Sequence, residues 1–465
     1  MTVDNPIVAL KTQHTYLWLC AICLIAGIAC ALVIDEGHNW GDDYALYVHQ
    51  AKALTEGGID TLYEQNKFSM DYETMGPYLY PFGFPALLAP VYHVFGINLY
   101  AMKWLCALCF IGSIPIVFKL TQLVTHNRLV QLAVTTFVAF HWLFIRHSDN
   151  VLSDLPYFFF SLYAIYLIAA AKSVAGYLWL GVIMFMAYFI RDIGITLPGA
   201  LFIYQITQKR PASRPAWVKT LSPYAVFMIL AVGSKILLPS GGGNHLDMIL
   251  DTTFTGTMSN LVYYLTKILM YMLVVKGYWV LIFAPLVIIA VYVGIQQHWR
   301  AHQYILAYIL ANMAILSLWP SHQGFRFVFP MLPFFTLYLF TGLNRLAEKR
   351  TIGSLKAIGL FLLLAWGVSL YQITRYARID TNEALSIEMQ QIYAYINTNM
   401  ASDKVIAFDK PRTLRLFTGV NAIYYKREDM YPPADYLLTP INHQDHLPEV
   451  SLVKAFKSYE LLKVN

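Results

Sequence analysis

Charged residues are scarce in this sequence. Asp, Glu, Lys and Arg make up only 13% of its 465 residues, whereas hydrophobic residues make up 58% and aromatic residues 15%. A soluble domain is typically about 25% charged and about 45–50% apolar. Several uncharged runs approach the roughly 20 residues that a helix needs to cross a bilayer. The composition therefore excludes a water-soluble enzyme, a nucleic-acid-binding protein and a disordered protein, and it predicts a polytopic membrane protein.

Cysteine is rare as well, and cofactor motifs are missing. All five cysteines lie in apolar runs, which argues against a disulfide scaffold. Their two Cys-x-x-Cys pairs match half of a zinc site in spacing, but inside apolar helices such residues are more typical of packing. The sequence has no GxGxxG or GxxxxGK[ST] motif, and the histidines predicted on the outer face lack His-x-x-x-His spacing. A nucleotide cofactor, a nucleotide-sugar donor and a metalloenzyme therefore lack support.

Long apolar runs predict about eleven transmembrane helices in residues 1–375. Two of the predicted helices are short and meet at Arg191-Asp192, so these two could instead form one long tilted helix. The predicted spans are 15–34, 100–120, 129–146, 153–171, 176–190, 193–207, 219–238, 278–296, 303–319, 327–343 and 355–374.

Lysine and arginine predict the orientation of these spans. Two clusters fall on one side, which the positive-inside rule assigns to the cytoplasm. With an odd number of spans, the segment 36–99 and the tail from residue 376 then lie on the outer side. The clusters are Lys209, Arg210, Arg214 and Lys219, and Arg345, Lys349, Arg350 and Lys356.

The two outer segments have different predicted structures. Within 36–99, residues 45–54 read as an amphipathic helix that ends at Gly57-Gly58, and 86–95 as an apolar helix too short to cross the membrane. The tail, 376–465, has a helical pattern at 383–399 followed by four short strand-like runs. We therefore predict a helical membrane domain with a small extracytoplasmic α/β domain at its C-terminus.

Asp42 and Asp43 form the strongest candidate site. Two adjacent carboxylates repel each other unless a ligand or a neighbouring group uses them. In a functional interpretation, one is a general base for an acceptor hydroxyl and the other is a support or a ligand for a divalent cation. In a structural interpretation, they simply begin the helix that follows, because Asp favours helix N-termini. The sequence leaves both interpretations open.

Three further charged residues fall near helix ends on the same face. Asp154 precedes Leu-Pro and could cap a helix or orient a substrate. Arg191 lies between two apolar runs, where a cation points to function unless neighbouring Asp192 neutralises it. Arg326 could bind an anionic headgroup or extend to the interface. Further candidate substrate-binding residues are Lys67, Tyr80 and His322.

The combination of acids and isolated arginines at one membrane face suits a lipid-phosphate substrate. An arginine can hold a phosphate with its planar fork and stabilise the charge that builds on it as it departs. A carboxylate can take the proton of an incoming hydroxyl.

An ordered set of motifs carries a family resemblance. The sequence resembles the GT-C glycosyltransferases that use polyprenyl-phosphate-linked sugars, especially bacterial relatives of the protein O-mannosyltransferases and of the transferase that adds aminoarabinose to lipid A. The matching segments are 41–54, 80–90 with 95–96, 152–157, 189–194 and 325–333.

The resemblance implies a reaction and roles for the candidates. A sugar would pass from a polyprenyl phosphate to an acceptor hydroxyl with inversion, at the periplasmic or exterior face of a bacterial inner membrane. Asp43 would be the base, with Asp42 as second choice; Asp154, Arg191 and Arg326 would contact substrate, and Arg191 and Arg326, together with Lys67, would hold the phosphate. The acceptor would be a glycan, lipid or protein. No nucleotide would be needed, and a divalent cation stays an open possibility, with Asp42 and Asp43 as its candidate ligands.

Two other functional classes remain as alternatives. A transporter or lipid flippase should show repeated halves and midplane charges, neither of which the sequence displays. An O-antigen polymerase or ligase would use the same lipid, but its key residues would be arginines of a large late loop rather than early acids. Variation at Asp42 and Asp43 among relatives would favour either alternative.

Overall fold

The structure is a computed structural model of the whole chain. It describes residues 6–70, 77–207, 214–239, 241, 252–275, 277–319, 322–349, 353–379, 381–425, 434–441 and 450–464. Lys209, Arg210 and Arg350 of the predicted cytoplasmic clusters lie outside these residues.

The first half of the chain is almost entirely helical. A 3₁₀ turn, Asp192–Ile195, separates the two helices that the sequence analysis places on either side of Arg191. The helices are α1 (Pro6–Ala31), α2 (Asp43–Glu56), α3 (Ile59–Met70), α4 (Gly83–Phe95), α5 (Leu99–Val124), α6 (Arg128–Ala139), α7 (Trp142–His147), α8 (Asp154–Ala170), α9 (Val174–Ile190), α10 (Thr196–Thr207) and α11 (Arg214–Leu237).

In the described part of the second half, five helices complete the membrane part. A second 3₁₀ turn, Arg326–Met331, leads directly into the fourth of them. These helices are α12 (Phe254–Leu273), α13 (Trp279–His298), α14 (Gln303–Ser317), α15 (Leu332–Lys349) and α16 (Ser354–Tyr376).

All the predicted apolar runs are helical, as expected for a polytopic membrane protein. Among the described residues, six helical segments are long and apolar enough to cross a bilayer, and five shorter apolar helices accompany them. The expected count of about eleven spans therefore stays a prediction. The six long segments are Leu99–Val124, Arg128–His147, Trp217–Leu237, Trp279–His298, Arg326–Glu348 and Ser354–Tyr376.

The described residues of the outer segment before α5 include three helices. The predicted amphipathic helix is present as α2, and it ends at Gly57, whose φ of 88° is a conformation that favours glycine. The short apolar helix is present as α4. Between them lies α3, which the sequence analysis did not predict.

The C-terminal tail forms a small α/β unit around a five-stranded sheet. Its helices are α17 (Ile387–Asn399) and α18 (Pro411–Thr418), and its strands are β1 (Val405–Phe408), β2 (Asn421–Tyr424), β3 (Tyr436–Pro440), β4 (Val450–Ala455) and β5 (Tyr459–Val464). The strand order is β2-β1-β3-β5-β4, with β1 parallel to both β2 and β3 and with β5 antiparallel to both β3 and β4. Helix α17 packs its apolar side onto this sheet.

A buried lysine joins the start of the outer segment to the membrane helices. Lys103 of α5 is fully buried, and its Nζ lies 2.6 Å from Asp35 Oδ1 and 2.6 Å from Asp149 Oδ1. Tyr376, at the end of α16, donates to Asp149 Oδ2 at 3.2 Å, and Thr381 donates to Asp35 Oδ2 at 2.9 Å. This cluster therefore holds together the residues where the outer segment begins and the residues where the tail begins.

Candidate active site

Asp43 lies at the first position of α2 and has a partner on each carboxylate oxygen. Tyr80 donates its phenol to Oδ1 at 2.7 Å, and Arg326 donates Nη1 to Oδ2 at 3.0 Å. Burial raises the pKa of Asp43, but the charge of Arg326 and the hydrogen bond from Tyr80 outweigh it and hold this pKa below its ordinary value. Asp43 is therefore ionised at neutral pH.

Tyr80 is held rigidly in the loop before α4. Gln50 of α2 accepts from its backbone N–H at 2.9 Å and donates to its carbonyl oxygen at 2.9 Å. Its ring stacks on Tyr47 with 4.6 Å between ring centres. Burial and the neighbouring Asp43 raise the pKa of Tyr80 well above its ordinary value, so the phenol keeps its proton and donates it in the hydrogen bond to Asp43. Asp43 and Gln50 lie two turns apart on α2, so this one helix positions both the carboxylate and the phenol that donates to it.

A second carboxylate–arginine pair lies between α8 and the end of α9. Arg191 donates Nη1 to Asp154 Oδ1, and His147 Nε2 lies 3.4 Å from Asp154 Oδ2. The carboxylate of Asp154 is buried, and it is oriented by Arg191 rather than used as a helix cap. Arg191 is extended at the break between α9 and the 3₁₀ turn, which turns its side chain toward α8.

The two arginines meet at one aromatic ring. The guanidinium carbons of Arg191 and Arg326 lie 4.6 Å and 5.6 Å from the centre of the Phe327 ring. Close packing also brings the loop of Tyr80 next to Arg191, because Gly83 at the start of α4 lies against the last turn of α9. A Cβ at Gly83 would lie 2.5 Å from the backbone nitrogen of Ile190. The structure therefore gathers two carboxylates, two guanidiniums and one phenol into a single site.

Asp42 points away from this group, toward the C-terminal α/β unit. Although Asp42 is the N-cap of α2, its side chain makes no capping hydrogen bond there. It accepts instead from the backbone N–H and the hydroxyl of Thr413 in α18, each at 3.2 Å. The Nε of Arg412 lies 3.9 Å from the other oxygen. Adjacent acids thus contact different parts of the fold.

Two sequence candidates are not among the side chains that contact Asp43 or Asp154 in the described part of the chain. Lys67 is exposed on α3, and no ion pair with Asp43 is found among the described residues. His322 is also exposed and stacks on Tyr263 of α12 with 3.9 Å between ring centres. Neither side chain is positioned by the site's carboxylates.

Four residues that shape the site were not predicted from the sequence. Phe327 and Tyr47 each occur in aromatic-rich stretches, where no spacing distinguishes them from packing residues. Arg412 lies in an ordinary polar stretch of the tail, and its place beside the site is evident from tertiary contacts such as that with Asp42. His147 could have been noticed as a titratable group close in sequence to Asp154.

The site does not provide a set of ligands for a divalent cation. Asp42 and Asp43 accept hydrogen bonds from separate groups, and each has an arginine beside it. Across the described ranges, no three His, Cys, Asp or Glu side chains come together as a metal site would require. We therefore assign no step to a metal.

Two comparisons of the amino-acid sequence with known proteins give different outcomes. Residues 253–412 match the sequence model of the Alg9-like mannosyltransferase family, a segment that includes both Arg326 and Arg412. A comparison with curated protein sequences finds no match.

The fold is shared with solved membrane glycosyltransferases. ArnT from Cupriavidus metallidurans is 11% identical with a TM-score of 0.63, over 97% of this chain and 98% of that one. The same protein bound to undecaprenyl phosphate gives 12% and 0.60, over 96% of this chain and 97% of that one. The arabinofuranosyltransferase AftD from Mycobacteria is 12% identical with a TM-score of 0.60, over 96% of this chain but 40% of its own length. The chain is a multi-pass membrane protein with the GT-C fold, and the family match together with this fold supports a glycosyltransferase.

Proposed function

We propose that the chain transfers a sugar from a polyprenyl phosphate to an acceptor hydroxyl, with inversion at the anomeric carbon and with Asp43 as the general base. The observation that carries this proposal is the contact between an ionised carboxylate and an arginine, Asp43 and Arg326, beside a second arginine. A base and an anion-binding group lie together where a phosphate-linked sugar and a hydroxyl would have to meet.

The reaction needs one proton acceptor and one site for a departing anion. The acceptor oxygen attacks the anomeric carbon, its proton passes to Asp43, and the bond from that carbon to the phosphate oxygen breaks. The leaving polyprenyl phosphate takes the bonding electrons, and Arg326 and Arg191 stabilise its charge. Asp43 returns the proton to water after the product leaves.

An exchange of partners at Arg326 would activate the base. A weakly basic carboxylate is a poor proton acceptor, and Arg326 is the group that most strongly lowers the pKa of Asp43. A donor phosphate that takes over Arg326 leaves burial to raise this pKa toward the operating pH. The acid limb of kcat should therefore lie at higher pH than that of kcat/KM, which reports the free enzyme.

The donor in this proposal is a polyprenyl phosphate carrying one sugar. ArnT, which shares the fold, has been solved with undecaprenyl phosphate bound. The acceptor is a glycan, a lipid or a protein, and neither a nucleotide nor a nucleic acid takes part. Arg191 already has Asp154 as a partner, so it supports the phosphate while keeping its own position.

The proposed location is the outer face of a bacterial inner membrane. Basic residues on the opposite side of the predicted spans support this orientation. Asp60 of α3 is exposed in the outer segment, so an Asp60→Cys variant offers a labelling position. A membrane-impermeant thiol reagent should label it in intact spheroplasts, and labelling only after lysis would contradict the orientation.

Transfer itself is tested with purified protein in liposomes. The probes are synthetic undecaprenyl phosphates carrying single hexoses or pentoses, incubated with envelope extract from cells that lack the gene. We expect one donor to release undecaprenyl phosphate and to add its sugar mass to an extract component, in wild type but not in Asp43→Asn. Release by both proteins alike would refute the proposed function.

A further inference from the structure

The short helix α18 of the C-terminal unit brings a buried arginine to the back of the site. The side chain of Arg412 is only 2% exposed. Its Nη2 donates to the carbonyl oxygen of Pro77 at 2.8 Å, and its guanidinium carbon lies 5.6 Å from the centre of the Tyr80 ring. Arg412 therefore contacts the loop that carries Tyr80, the hydrogen-bond donor to Asp43. It also lies beside Asp42, the residue that precedes Asp43 in the chain.

We propose that Arg412 is a positioning residue, through which the C-terminal unit fixes Tyr80 and Asp42 and so holds Asp43 in its reactive orientation. The inference rests on the proposed function of Asp43 as the base. Arg412 is too deeply buried to reach a donor phosphate, so its effect passes through its contacts. Loss of the guanidinium frees the Tyr80 loop at Pro77 and removes a cation from beside Asp42.

Thr413 strengthens this attachment. In the first turn of α18, the backbone N–H and the hydroxyl of Thr413 both donate to Asp42 Oδ1. Burial raises the pKa of Asp42, whereas Arg412 and the Thr413 N–H oppose this change. Because residue 42 directly precedes residue 43, movement at this contact is passed on to the base.

A second buried arginine on α18 provides the matched control. Arg415, one turn further along, is 1% exposed and donates to Asn66 Oδ1 at 2.9 Å and to the Ala422 carbonyl at 3.0 Å. It also donates to Ser69. These contacts attach α18 to α3 and β2, and none of them is made to Tyr80 or Asp43. Arg415 is linked to the loop of Tyr80 indirectly, because Asn66 donates to the carbonyl oxygen of Tyr78 at 2.9 Å. A purely structural role for Arg412 would make the two arginines equivalent.

Charge at Arg412 also acts on the base. Removal of Arg412 takes away one of the cations that lower the pKa of Asp43, so this pKa should rise. As the pH is lowered, Asp43 is then protonated earlier, and transfer should be lost at a higher pH than in the wild type. Arg415→Gln should not move this limb. The charged and titratable groups around Asp43 are Arg326, Tyr80, Arg412, Asp42 and Tyr47, and the ion pair of Asp154 with Arg191 lies in the same site.

The experiment compares Arg412→Gln, Arg412→Lys and Arg415→Gln in the full-length protein in liposomes. The measurements are kcat and donor KM as a function of pH, the Tm, and the affinity for undecaprenyl phosphate. We expect Arg412→Gln to lower kcat about tenfold, to shift its acid limb upward and to leave donor KM and undecaprenyl phosphate affinity within about twofold. Lysine should restore the pH limb, because it restores the charge. Arg415→Gln should lower Tm without shifting the limb.

Three results would overturn the positioning role. They are an unchanged kcat and pH profile in Arg412→Gln, an equal shift in Arg415→Gln, and a loss of undecaprenyl phosphate affinity as large as the loss of kcat. Asp43→Asn measured alongside separates the two proposals. An inactive Asp43→Asn with a fully active Arg412→Gln rejects only the role of Arg412, whereas an active Asp43→Asn rejects the base itself.

Discussion

Replacement of Asp43 by Asn removes the base while keeping its shape. The amide oxygen can still accept from Tyr80, which lies 2.7 Å from Oδ1, but the amide group places a donor against Arg326 where the carboxylate accepted. A positioned general base contributes about 10²–10⁴ in rate. We therefore expect kcat to fall about 10²–10⁴-fold in the liposome transfer assay.

The same replacement should affect stability little. The side chains of Asp43 and Arg326 are 33% and 26% exposed, so their ion pair is partly solvated. Pairs at exposed sites contribute about 0–1 kcal/mol. Detergent-purified Asp43→Asn should therefore unfold close to the wild-type Tm, which separates a catalytic loss from a misfolded protein.

Asp60→Asn is the matched control for this experiment. Asp60 lies in the first turn of the next helix, α3, and is exposed. Its replacement changes the charge of the outer segment by the same amount without touching the site, so transfer should stay near wild type. A wild-type kcat in Asp43→Asn, or an equal loss in Asp60→Asn, would refute the assignment of the base.

Three more variants test other features of the structure. Tyr80→Phe removes a hydrogen bond that lowers the pKa of Asp43, so the acid limb of kcat/KM should move to higher pH; an unmoved limb would contradict the contact. Lys103→Met leaves Asp149 buried without its cation and should destabilise the protein by about 3–5 kcal/mol, seen as a lower Tm that Asp149→Asn partly restores. Gly83→Ala should cost about 1–3 kcal/mol and lower transfer, because its Cβ would displace the end of α9; wild-type Tm and activity would refute the tight packing.

Hydropathy and turn chemistry made much of the helical architecture predictable. Membrane helices satisfy their own backbone, so their sequence signature is local and strong. The helix after Asp43, its end at Gly57 and most strands of the tail could be recognised from patterns of the same kind. The short helix α18 was missed because eight residues form only about two helical turns, and the last strand, β5, was missed as well.

The pairings in the site were not predictable, because they join residues far apart in sequence. Nothing local indicates that Asp43 meets Arg326, or that Arg191 turns to Asp154 rather than to the adjacent acid. Lys103 did offer an indication, as a single cation within an apolar run, and its buried partners show why it is tolerated there. Which partner each of these charged residues takes is decided by the tertiary fold.

The pair of guanidiniums at Phe327 has a consequence for the order of events in turnover. A sugar phosphodiester carries one negative charge, whereas the phosphomonoester that remains after transfer carries nearly two at neutral pH. Neighbouring cations attract the second species more strongly, so the spent carrier should bind more tightly than the loaded one. Release of that carrier then lengthens each turnover, and added undecaprenyl phosphate should act as a strong competitive inhibitor of the donor.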